Sequence, residues 1–254
     1  MKRALLAVAL ALLVAGCGGD DETSTTDTGT TTAPAETTVV RVYFLREGKV
    51  WPAYREVDTS GPVKNVAGLA VSELFNGPTE QEAADLQFGT AIPVADIQAQ
   101  IAIDNNIADV ELDSELPEGA RAQLIYTLTQ FPTVDLVEID WQRYTRADFE
   151  NFTPAILVES PLPFEDVTSP LRVTGTANTF EATFSYELTD TDGLIVDENF
   201  VTATSGTGTR GTFDFTTKPY TVPFDGVGAL IVFERSAKDG SRINLVEIPL
   251  RMTR

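Results

Sequence analysis

Four stretches of the chain carry residue types that can do chemistry at suggestive spacings. Gly206-Thr207-Gly208-Thr209-Arg210-Gly211 fits G-x-G-x-x-G, which cradles a dinucleotide pyrophosphate when it lies between a strand and a helix. Asp190-Thr191-Asp192-Gly193 has the opening of a calcium loop, but the later oxygen ligands and the closing glutamate are missing. Asp109, Glu111 and Asp113 alternate along one segment. On a strand they would share one face, where paired carboxylates can serve acid–base or glycosidase chemistry. Cys17 is the only cysteine, so it has no partner for an internal disulfide.

Composition removes most of these options. The 254 residues include no histidine, the usual general base and the commonest metal ligand. Ser-His-Asp and Cys-His catalysis are therefore excluded. With 38 acidic against 18 basic residues the net charge is −20. That balance disfavours nucleic acid, which needs clustered Lys and Arg, and disfavours electrostatic docking on an anionic membrane. Local context answers the rest. Thr212-Phe213-Asp214-Phe215-Thr216 follows the glycine stretch and alternates as a strand, so Gly206–Gly211 reads as an inter-strand loop. Asp190–Gly193 reads as a hairpin turn. The acidic trio reads as a solvated sheet face opposite Val110 and Leu112. No catalytic, cofactor-binding or metal-ligating residue is expected, and no cofactor. Trp51, Tyr54, Trp141 and Tyr144 are expected mainly in cores, with an exposed aromatic surface for glycan or partner contact as the other reading.

The elements that would position any site fall into four parts. Residues 1–16 read as a signal peptide, with Lys2 and Arg3 before the eleven-residue apolar run Ala4 to Val14, too short to span a membrane comfortably. Val14-Ala15-Gly16-Cys17 resembles a bacterial lipobox. That resemblance implies lipidation of Cys17 and cleavage before it, leaving the protein anchored by lipid on the extracytoplasmic side of the cell membrane. Residues 18–38 hold nine Thr in 21 positions and no aromatic or basic residue, so residues 17–38 are expected to be a lipidated cysteine and a disordered tether. Its mean span would be about 25 Å.

Residues 39–145 are expected to form an α+β domain. Val39 to Leu45 and Trp51 to Val57 read as strands. Val63, Val66, Ala67, Ala70, Val71, Leu74 and Phe75 recur at helical spacing, and Thr79 with Glu82 forms a capping-box pair. Ile97 to Ile103 and Ile107 to Leu112 alternate around Asp104-Asn105-Asn106, predicting a hairpin. Ser114 is placed to cap a helix carrying Ala120, Leu124, Leu128 and Phe131 on one face, and Val134 to Trp141 reads as a last strand. The polar stretch Gln142 to Phe152 ends at Thr153-Pro154, a boundary. Residues 153–254 are expected to be all β. Seven strands are predicted, at 156–158, 171–174, 180–189, 194–204, 211–217, 228–235 and 243–250. In one of them Phe180, Ala182, Phe184 and Tyr186 face one side, and Glu181, Thr183, Ser185 and Glu187 the other. This pattern suggests a β-sandwich.

At this point the residues carry a resemblance. LFNGPTEQEAADLQFGTAIP (74–93), ADVELDSEL (108–116) and AQLIYTLTQFPTVDLVEI (122–139) resemble the GerMN domain of sporulation, germination and envelope lipoproteins. The helix-strand-strand-helix-strand order is also similar to the ring-building motif of secretion and spore channels, here with extra N-terminal strands. SPLPFEDVTSPLRVTGTANTFEATFSYEL (160–188) resembles the immunoglobulin-like domain that follows GerMN in spore-germination proteins. These resemblances imply a non-enzymatic assembly module: a lipid-anchored scaffold or adaptor of the envelope, with envelope proteins or further copies as partners. A ligand-binding or sensor-accessory lipoprotein, with a pocket between the domains, is the alternative.

Overall fold

The computed structural model describes residues 36–61, 65–93 and 98–254. Cys17, the expected signal peptide and nearly all of the expected tether lie outside the described residues, as do Val63 and Ile97. The described residues fall into one compact unit. It is a mixed α+β structure dominated by strands in four sheets, with three short helices among the described residues. No helix there is long and apolar enough to cross a membrane.

The first half opens with β1 (Thr37–Arg46) and β2 (Lys49–Asp58), an antiparallel hairpin. β1 starts at Thr37, so the last two residues expected in the tether are paired in a strand. Helix α1 (Val66–Asn76) buries Ala67, Ala70, Val71 and Leu74; the Asn65 side chain accepts from Gly68 N at its start. Gly77, at φ +81°, ends it in the left-handed region that glycine tolerates. Helix α2 (Glu80–Asp85) begins with the expected Thr79/Glu82 capping box. β3 (Ala99–Asp104) and β4 (Ile107–Leu112) pair around Asn105 and Asn106, both at positive φ. β5 (Leu136–Ile139) lies parallel to β4, and β6 (Gln142–Tyr144) returns antiparallel, giving the order β3-β4-β5-β6.

Between β4 and β5 runs α3 (Glu118–Leu128), in which every residue from Ala122 to Leu128 is buried. It is covered on all sides rather than amphipathic. Ser114 does not cap it; Pro117 occupies the N-cap without a side-chain bond, and Ser114 lies against Asp113. The strand expected through Trp141 stops at Ile139, because Asp140 and Trp141 turn the chain at positive φ.

The second half is two sheets face to face. β7 (Ile156–Ser160), β9 (Arg172–Ala177) and β12 (Gly211–Thr216) form one, in the order β12-β9-β7. The other runs β11-β10-β13-β14-β8, where β8 is Asp166–Val167, β10 Thr183–Thr189, β11 Ile195–Thr202, β13 Gly226–Arg235 and β14 Arg242–Met252. Val173, Phe184, Tyr186, Phe213, Val232 and Leu250 fill the space between them. Two details depart from the alternation pattern. Phe180 to Ala182 is a tight turn, with Glu181 and Ala182 at φ +52° and +58°. Phe180 is thereby left exposed, outside the alternation that buries Phe184 and Tyr186. Glu187, expected in solvent, is buried. Arg242 donates two hydrogen bonds to its carboxylate, of 2.9 and 2.6 Å, and lies 4.3 Å over the Phe233 ring.

Candidate functional site

Among the described residues, a dense set of charged and polar side chains lies where the two halves meet. Gln142 to Phe152, expected as a polar connection, is structured: β6 is followed by tight 3₁₀ turns over Arg146–Phe152 that bury Phe149. A capping box between Thr145 and Asp148 starts these turns. They present Arg146 inward. Its Nε donates to Thr129 Oγ1 at 2.7 Å, its Nη2 to the Tyr126 carbonyl at 3.3 Å, and its Nη1 to Glu159 Oε1 at 2.8 Å. The guanidinium lies 4.6 Å from the Tyr126 ring centre and 5.5 Å from that of Tyr43.

Glu159 belongs to β7 of the second half, yet its carboxylate faces the first. The Tyr43 hydroxyl of β1 donates to the same Oε1 that Arg146 holds, and Arg41 Nη1 donates to the Glu159 carbonyl at 3.3 Å. Burial alone would make ionised Glu159 unfavourable. Arg146, the Tyr43 hydroxyl and Arg41 outweigh that and hold its pKa below the usual carboxylate value. Burial and the facing Glu159 charge push the Tyr43 phenol well above its ordinary range. Burial disfavours the charge on Arg146, but Tyr43 and Glu159 more than compensate and raise its pKa.

A second clasp sits on the same connection. Arg210 grips Glu150 through two parallel bonds of 2.9 and 3.0 Å, and its Nη2 also donates to the Pro154 carbonyl at 2.8 Å. Asn178 Nδ2 donates to Glu150 Oε1 at 2.9 Å. Partial burial opposes the Glu150 charge, and Arg210 with Asn178 overcomes it, so its pKa is lowered. Lys49 Nζ donates to the Asn151 carbonyl at 2.7 Å. Apolar contacts close the rest. Leu157 of β7 is part of the first half's core, and Trp51 packs against both cores beneath the Arg46 guanidinium, 4.2 Å away. Two clefts remain between the halves, one of about 20 Å³ between Trp51, Phe88, Pro161 and Ile248, and one of about 480 Å³ between Arg46, Gln87, Phe164 and Leu245.

The stretches singled out in the sequence lie elsewhere and are not brought together. Gly206–Gly211 bridges β11 and β12, with no helix after it. Its glycines answer to backbone crowding: a Cβ on Gly206 would fall 2.5 Å from Ala182 N, and one on Gly211 against Ser205 N. Arg210, within that motif, is the clasp residue. Asp190 closes the β10–β11 turn, its Oδ1 accepting from Asp192 N and Leu194 N at 2.9 Å each. Asp109 and Glu111 are exposed on β4, and Asp113 follows, accepting from Gln98 N at 3.2 Å. Among the described residues no group of three acids could hold a metal ion. The four aromatics part company: Trp51 lies at the junction, Tyr144 packs on Phe149, Tyr54 is partly exposed and Trp141 is 93% exposed. Glu159, Arg146 and Tyr43 carry no motif. The one local signal is a glutamate directly after the buried run Ile156-Leu157-Val158.

Comparison with known proteins accounts for both halves. Residues 41–141 match the family model described as sporulation and spore germination. Residues 155–241 match the model of the immunoglobulin-like domain of bacterial spore germination. A solved structure, the tandem GerMN domains of the sporulation protein GerM from Bacillus subtilis, aligns at 20% identity over 44% of this chain and 41% of that one, with a TM-score of 0.35. This chain thus spans less than half of that structure's length. No curated protein matches. Each half of the chain is thus similar to a domain of the sporulation and spore-germination type.

Proposed function

We propose that the protein is a lipid-anchored scaffold or adaptor of the cell envelope, held outside the cytoplasm through Cys17. The observation that carries this reading is the hydrogen-bonded junction. A buried Arg146–Glu159–Tyr43 cluster and an Arg210–Glu150 clasp tie two sporulation-type domains into one compact unit. Such a unit presents two surfaces at a fixed relative orientation, which suits a spacer between partners. A ligand-binding or sensor-accessory role calls for a pocket between the domains; the cleft at Trp51 holds little more than a water, and the wider one of about 480 Å³ between Arg46, Gln87, Phe164 and Leu245 is the place where a ligand would be sought. Both domain types resemble modules of assembly rather than catalysis, and the absence of histidine fits that reading.

Two experiments test it. Mild crosslinking followed by pull-down from detergent-solubilised membranes should recover specific envelope proteins; a protein recovered alone under all conditions would contradict the scaffold role. Cys17→Ser should release the protein from the membrane or block its processing while both domains still fold. A variant that stays membrane-bound and normally processed would remove the anchor.

A further inference from the structure

One side of the long strand β14 is covered by β13, and the other only in part. The Pro249 carbonyl accepts from Phe164 N at 2.7 Å, and Arg251 N donates to the Glu165 carbonyl at 3.0 Å. Backbone groups of alternate strand residues point the same way. The N–H and C=O of Glu247 therefore also point away from β13. So does the C=O of Leu245, because Val246 pairs with Val232 on the β13 side. Nothing among the described residues bonds these groups. The sequence explains where the cover stops. Pro161 and Pro163 have no N–H to give a ladder, so the chain joins β14 only from Phe164 onward.

The bare edge opens into the cleft of about 480 Å³ between the halves. Every residue lining that cleft is described, and none lies within five positions of one that is not. Leu86, Phe164 and Leu245 give it an apolar part, with Leu245 51% exposed. Glu47, Asp85 and Glu247 bring three carboxylates against one guanidinium, that of Arg46. None of these four forms an ion pair among the described residues. The excess of acid selects against the chain's own material. Residues 18–38 hold acidic residues and no basic one, and a second copy brings a further net charge of −20. A basic segment from elsewhere fits the charge.

We propose that an extended segment of a partner protein adds as a strand to this edge, pairing with Leu245 and Glu247 and placing a basic and an apolar side chain, two positions apart, in the cleft. Main-chain hydrogen bonds supply the affinity of such an addition, and alternate side chains on one face supply the specificity. The basic side chain meets Glu47, Asp85 and Glu247, and the apolar one meets Leu86, Phe164 and Leu245. Arg46, held 4.2 Å over Trp51, has N–H groups to offer the carbonyls on the segment's outer side. The proposal gives one partner its chemistry and so rests on the adaptor reading, but it does not need the lipid anchor.

Fluorescence anisotropy on the full-length protein in mild detergent tests it, with labelled heptapeptides in which Thr alternates with Leu and Lys, or with Leu and Glu. The Lys peptides should bind, less tightly as salt rises, and the Glu peptides should not. Binding should slow amide hydrogen exchange at Glu247. Glu247→Pro takes away the outward N–H and costs no bond to β13, so it keeps the fold and should weaken binding about tenfold. Glu247→Gln keeps that N–H and should lose only part of the preference for Lys peptides. Lys peptides that do not bind would overturn the proposal, while the crosslinking test of the adaptor reading would stand apart. A folded Glu247→Pro protein that binds as tightly as the natural one would also overturn it, as would binding without slowed exchange at Glu247.

Discussion

Two arginine–carboxylate pairs in this molecule have similar contact distances and opposite surroundings, and the exposed one has the better geometry, two bonds against one. Arg146 meets Glu159 at 2.8 Å, and Arg172 meets Asp214 at 2.6 Å. The first pair is 25% and 13% exposed, the second 69% and 55%. Distance does not decide what each is worth. Around Glu159 little water competes, and Tyr43, Arg41 and the rings of Tyr43 and Tyr126 complete the site. Around Asp214 water screens the charge and both side chains lose rotamer freedom by pairing. The first pair joins two domains; the second decorates a sheet.

The comparison can be broken most sharply at the junction. Glu159→Leu leaves the Arg146 charge buried and unpaired, and should cost about 3–5 kcal/mol in urea denaturation. Adding Arg146→Met to it should recover much of that loss, since two apolar groups replace two charges. Strictly additive losses would show that the pair is not coupled. Arg210→Ala should cost less, about 1 kcal/mol, because Glu150 is 40% exposed and can turn to water. Arg172→Ala should leave the denaturation midpoint unchanged within error. If it destabilises as much as Arg210→Ala, burial is not what separates the two regions.

Titration sharpens the same contrast. Glu159 and Glu150 have lowered pKa values in the fold. Their contribution is therefore present above the unfolded value near about 4.3, and is lost as pH falls through the lower folded value. Tyr43 is raised instead, so its contribution is present below about 10 and lost as pH rises beyond that. Stability measured against pH should fall at both ends. Glu159→Gln should flatten the acid limb and Tyr43→Phe the alkaline one; Arg172 also lowers the Asp214 pKa, but in open water that contributes little, so Asp214→Asn should change neither limb appreciably.

The fold was legible wherever local pattern decides it. The capping box at Thr79 and Glu82, the α1 face and the Asn105-Asn106 hairpin follow from residues a few positions apart. Where tertiary context wins, the pattern misleads. Trp141 has a strand former's side chain but sits in a turn. Gln142 to Phe152 is polar in composition, but its Phe149 is buried and its Arg146 turned inward. The junction was not legible at all. Tyr43 and Glu159 are 116 positions apart, and nothing near either one names the other. Arg210 drew notice for its glycines, which serve close backbone contacts, rather than for its own side chain.

The central claim is that the junction makes one rigid body of two domains. Spin labels at Glu118→Cys on α3 and Thr212→Cys on β12, in a Cys17→Ser background, measure the distance between the halves directly by pulsed electron resonance. The structure predicts one narrow distance distribution that does not change with salt and that broadens when Glu159→Gln is added. A broad distribution in the otherwise natural protein, unaltered by Glu159→Gln, would contradict it.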